Sequence, residues 1–154
     1  MKTLFILSFF FFFQNIKSQD LFITYDNNCI IKKSISKNNT TTFESYRIDF
    51  LDESPQYKFY LDENGQLMKN IQISGKSNGS LDFVYHNYKN QNKAIKIAFN
   101  EMKNIIKCDE IIYSKMTNFH ELFSKFKNIY FVDITKKRKN YKAKKIRILE
   151  NTIL

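Results

Sequence analysis

Gln91–Lys107, QNKAIKIAFNEMKNIIK, is the stretch on which the fold class turns. Its apolar residues fall at Ala94, Ile95, Ala98, Phe99, Met102, Ile105 and Ile106, the spacing of one helical face. Lys93, Lys96, Glu101 and Lys103 fall on the opposite side, so the pattern predicts an amphipathic helix over about 91–107. A second helix is expected over about 117–127. Thr117 supplies a cap, and Phe119, Leu122, Phe123 and Phe126 form one stripe.

Upstream of this stretch the chain reads as short strands. Leu21–Tyr25 is apolar and β-branched, and Asp26-Asn27-Asn28 follows as a turn. Cys29–Ile35 is a second candidate, and Ser36–Thr42 is polar and loop-like. In Phe43–Leu51, Tyr46, Ile48 and Phe50 alternate with Arg47 and Asp49. Tyr57, Phe59 and Leu61 alternate before Asp62-Glu63-Asn64-Gly65, and Leu67–Ile73 returns, which predicts a hairpin. Leu81–Tyr85 is the next strand. Downstream, strands are expected at Ile111–Ser114, Ile129–Ile134 and Tyr141–Leu149. Strands first, then helix, strand, helix, strand and strand, predict an α+β domain. Its largely antiparallel sheet comes from the first half, with the two helices (about 91–107 and 117–127) packed on one face.

The beginning of the chain points to export. Lys2 gives a positive start, Leu4–Phe13 is apolar except for Ser8, and Gln14–Ser18 is polar. This is the order of a secretory signal peptide, with cleavage expected after Ser18. Ten helical residues cover roughly 15 Å, half of the roughly 30 Å needed to span a bilayer core. Residues 1–18 are therefore read as a signal and residues 19–154 as a single small domain. No later apolar stretch approaches twenty residues, so the exported part is expected to be soluble, with no transmembrane segment.

Removing Lys2 and Lys17 leaves 23 cations against 15 acids, a net charge of +8. Over the whole chain, 22 lysines against 3 arginines argue against a dedicated phosphate-gripping surface, which favours the planar fork of arginine. Codon bias toward lysine, asparagine and isoleucine accounts for much of the charge. The two cysteines, Cys29 and Cys108, allow one intramolecular bridge in an oxidising compartment.

Sites of chemistry are sparse. Ser80, Asp82 and His86 share a strand face, but residues four apart on a strand stand about 13 Å apart, too far for a catalytic triad. His120 lies on the polar side of the second predicted helix, without a second histidine at zinc-binding spacing. The acid pairs Asp52-Glu53, Asp62-Glu63 and Asp109-Glu110 sit at expected turns. Asp133, near the end of an apolar strand, is a candidate functional carboxylate. Asn38, Asn39 and Asn78 fit the glycosylation rule. No cofactor or metal site is indicated, and no catalytic residue is assigned.

The strongest local feature is Lys136–Arg147, KKRKNYKAKKIR, with eight cations in twelve residues and no acid. Lys136, Lys137, Arg138, Lys139, Tyr141, Lys142, Lys144 and Lys145 are the candidate binding residues, for an acidic polymer or anionic surface. The alternative is an edge strand kept soluble by lysine. Sequence alone does not reveal the function. The leading expectation is an exported, non-enzymatic protein whose partner is an envelope protein or acidic polymer. The competing one is a small hydrolase using a histidine and a carboxylate.

Overall fold

The structure, a computed structural model, describes residues 19–29, 31–51, 56–72, 79–114 and 119–149. The expected signal peptide lies outside the described residues, as do Asp52-Glu53, Thr117 and Asn78.

Among the described residues ten strands make up most of the fold: β1 (Asp20–Tyr25), β2 (Ile31–Lys37), β3 (Thr41–Asp49), β4 (Gln56–Leu61), β5 (Leu67–Gln72), β6 (Ser80–Tyr88), β7 (Ile95–Ile97), β8 (Asn104–Lys107), β9 (Asn128–Asp133) and β10 (Tyr141–Leu149). Two short helices, α1 (Cys108–Ile112) and α2 (Phe119–Ser124), and a 3-10 turn at Phe99–Glu101 complete it. Of the described residues, 57% are in strands and 12% are helical. The protein is therefore mostly β with a large mixed sheet, and the α+β expectation is wrong.

The error lies in Gln91–Lys107. In place of one helix the segment forms β7, the 3-10 turn and β8. β-Branched isoleucines and repeated asparagines are poor helix formers, and both strands gain hydrogen-bonded neighbours. β7 pairs with the start of β10, and β8 pairs in parallel with β1. Burial follows the strands: Ile106 is fully buried, while Ile95 and Phe99 of the supposed helical face are exposed. Of the described part of the 117–127 expectation, Phe119–Ser124 form α2 and residues 125–127 leave the helix. Of Ile111–Ser114, expected as a strand, Ile111 and Ile112 instead end α1, Tyr113 turns and Ser114 makes an isolated parallel bridge to Tyr57. Glu110 Oε2 accepts the Lys107 N–H at 3.0 Å across the first turn of α1.

The large sheet runs β2-β3-β6-β10-β9-β1-β8, with β7 beside β10. β1 is parallel to both β8 and β9, and the pairings from β9 through β10, β6 and β3 to β2 are antiparallel. Alternation along β1 and β9 separates two cores. Leu21, Ile23 and Phe131 enter the larger one, beneath α1, α2 and the β4–β5 hairpin. Phe22, Tyr130 and Val132 enter a smaller one with Met102, Tyr141 and Ala143. The hairpin turns where expected, with Gly65 at φ 73° and Asp62 Oδ1 accepting the Asn64 and Gln66 N–H groups. Cys29 and Cys108 stand at disulfide distance inside the larger core, their Cα atoms 5.8 Å apart. Among the described residues no helix is long and apolar enough to cross a membrane.

Candidate functional site

Tyr25 and Asp133 end the parallel strands β1 and β9 and are partners in register. Beside them opens a cavity of about 460 Å³. Phe131 and Tyr46 form its floor. The Tyr25 ring stacks on Phe131 at 4.6 Å, and Tyr46 meets Phe131 at 4.7 Å. Both floor residues are almost fully buried, so the deep wall is apolar and preformed.

The rim is cationic. Lys33 arrives from β2, Lys136 and Arg138 from the β9–β10 loop, and Lys142 and Lys144 from β10. Alternation sends Lys142 and Lys144 to the same side of β10. Against these five cations the described lining holds one carboxylate, Asp133. Among the described residues Lys136, Arg138 and Lys142 make no ion pair, so their charge faces the opening uncompensated.

Behind the rim lies Glu44, nearly buried on β3. Lys144 Nζ donates to its Oε2 at 2.6 Å, Tyr46 also donates to it, and Lys33 approaches within 3.9 Å. Burial alone would raise the Glu44 carboxyl. The hydrogen bonds from Lys144 and Tyr46 outweigh it and hold the group below its ordinary range. Burial, reinforced by Glu44, pushes the Tyr46 hydroxyl well up, and burial with Asp133 does the same to Tyr25. Both phenols therefore stay protonated as donors. Asp133 would also be raised by burial, but hydrogen bonds from Thr135, with Lys33 and Arg138 nearby, keep it low and ionised. The Thr135 N–H donates to Asp133 Oδ1 at 2.9 Å.

The structure divides the basic segment. Lys136, Arg138, Tyr141, Lys142 and Lys144 line the cavity, whereas Lys137, Lys139 and Lys145 do not. Lys145 and Arg147 alternate onto the opposite side of β10. Tyr141 is buried in the smaller core, and its hydroxyl accepts the Arg138 N–H at 3.2 Å, which fixes the loop over the cavity. Lys33, Tyr25, Tyr46 and Glu44 escaped the reading of the sequence. They sit on β1, β2 and β3, far along the chain from the basic run, and carry no motif.

The other candidates stay apart from this cavity. His86 and His120 are exposed and neither lines it. Ser80 is buried on β6 and Asp82 is half-buried on the same strand. Asn38 Oδ1 accepts the N–H groups of Thr40 and Thr41 at 3.0 and 2.7 Å, so its amide closes the β2–β3 turn. No cluster of three His, Cys, Asp or Glu able to hold a metal ion occurs among the described residues. Compared with known proteins, the chain matches no family model, no curated protein and no solved structure.

Proposed function

We propose that the protein is an exported, non-enzymatic binding protein that holds an anionic group in the cavity beside Tyr25 and Asp133. One observation carries this reading: Lys33 of β2 joins Lys136, Arg138, Lys142 and Lys144 around one concave opening. A solubilising edge needs no lysine converging from a distant strand. The uncompensated charge raises the local concentration of anions. The volume falls within the roughly 300–1,000 Å³ usual for small-molecule sites. The ligand is thus a small anion or the anionic end of an acidic polymer. Export is supported by the order of residues 1–18 and by the Cys29–Cys108 pair at disulfide distance.

The test is calorimetric titration of the exported protein with inorganic phosphate and with a phosphorylated sugar at low and high salt. The reading expects saturable binding that weakens steeply as salt screens the rim. Failure of both phosphate and a phosphorylated sugar to give saturable heats at low salt would refute it.

A further inference from the structure

We infer that Asp133 makes the cavity selective for hydroxylated anions, so that its ligand is an acidic sugar: a hydroxyl-bearing ring that carries a carboxylate or phosphate. The inference rests on the anion-binding reading and narrows it. A site built for a bare anion gains nothing from a carboxylate in its wall, because like charges at close range repel. Asp133 is nevertheless held there. No cation comes within ion-pair distance of it among the described residues. Its direct hydrogen-bond partner is a neutral donor, the Thr135 N–H at 2.9 Å, with the Thr135 and Tyr25 hydroxyls nearby. The carboxylate is positioned by these groups and keeps its charge. It is exposed at the cavity, and two carboxylate oxygens offer about four acceptor sites, so it retains capacity for a further donor.

A sugar hydroxyl supplies that donor. Its acidic substituent is taken by Lys136, Arg138 and Lys142, and the C–H face of its ring can pack on Tyr25, which Phe131 holds in place at 4.6 Å. Asp133 then has two effects. It accepts from the hydroxyl of a sugar acid, and it repels simple anions that have no donor to offer, which is how a site discriminates against a wrong partner.

The experiment titrates the exported protein, wild type and Asp133→Asn, with four probes. Glucuronate and glucose 6-phosphate carry hydroxyls; acetate and inorganic phosphate match their charged groups without them. The wild type should bind each sugar acid about tenfold or more tightly than its hydroxyl-free counterpart, the value of one charge-assisted hydrogen bond. In Asp133→Asn the preference should shrink to about twofold, since simple anions tighten and sugar acids weaken. Comparison of glucuronate with glucose 6-phosphate identifies the favoured acid group. Asp133→Ser provides a second variant should the asparagine fold poorly, with circular dichroism as the check. Equal binding of all four probes by the wild type would overturn the inference and leave the anion site standing. A preference that survives both substitutions would overturn it as well. Failure of every probe to bind would remove the anion reading itself.

Discussion

Lys144 of β10 reaches across β6 to Glu44 of β3, a 2.6 Å contact between residues 100 apart in the chain. Its ammonium passes the ring of Tyr85, the β6 residue paired with Glu44, 5.5 Å from the ring centroid. The contact ties the basic strand to the antiparallel half of the sheet and sets one wall of the cavity. It also explains why Lys144, unlike Lys142, is half-buried.

Glu44→Gln should destabilise the fold by about 1–3 kcal/mol, because the buried end of Lys144 loses its charged acceptor. The pH dependence has a definite sign. A carboxyl held below its ordinary value of 4.5 stabilises the fold fully above 4.5, and that contribution is lost as the pH falls through the lowered value. Wild type and variant should therefore differ most at neutral pH and converge in acid. Urea denaturation on both sides of pH 4.5 measures this, and a difference that grew in acid would contradict it.

Cys29 and Cys108 are 79 residues apart, so a bridge between them closes a long loop. Intact native protein should weigh two hydrogens less than its reduced form, and Cys108→Ser should cost about 4–5 kcal/mol on the chain-entropy account. Two alkylatable thiols in freshly isolated native protein would reject the bridge.

Phe131 is 1% exposed and meets the rings of Tyr25, Tyr46 and Phe83. Phe131→Ala should cost about 3–5 kcal/mol and collapse the cavity floor. Ile35, 58% exposed on β2, is the matched control, and Ile35→Ala should stay within about 0.5 kcal/mol of wild type. Thermal melts of the two variants are sufficient to compare them.

Export predicts a processed chain. N-terminal sequencing of protein recovered outside the cytoplasm should begin near Gln19. A retained Met1 in that material would contradict the signal reading.

Much of the strand order was legible because local pattern and tertiary pairing agree there. Tyr46 and Ile48 alternate with Arg47 in β3, the Asp62–Gly65 turn specifies the β4–β5 hairpin, and β10 covers the expected Tyr141–Leu149. At Gln91–Lys107 they conflict. Ile95, Ile105 and Ile106 satisfy a helical spacing, but pairing with β10 and β1 decides their conformation, and periodicity carries no information about distant partners. The same limit hid half of the site. Eight cations in one run drew attention to Lys136–Arg147, whereas Lys33 is one of three lysines on a polar strand that carries no such run. In the sheet order β3 and β6 stand between β2 and β10, and only the lining of the folded sheet, in which the rings of Tyr25 and Tyr46 meet at 6.4 Å, shows that Lys33 faces the same cavity.

The most direct test of the account compares two triple variants for binding to a phosphate-bearing ligand, glucose 6-phosphate. One variant replaces Lys33, Arg138 and Lys142 with serine at the rim. The other replaces Lys58, Lys103 and Lys127, exposed cations outside the cavity lining that control for net charge. Rim charges within a Debye length of about 8–10 Å act on the ligand, while distant ones are screened. The rim variant should lose at least about a hundredfold in affinity, roughly 1 kcal/mol for each charged contact removed, and the control should stay within about threefold of wild type. Equal losses in the two variants would show that bulk charge alone attracts the ligand, and would contradict a built anion site.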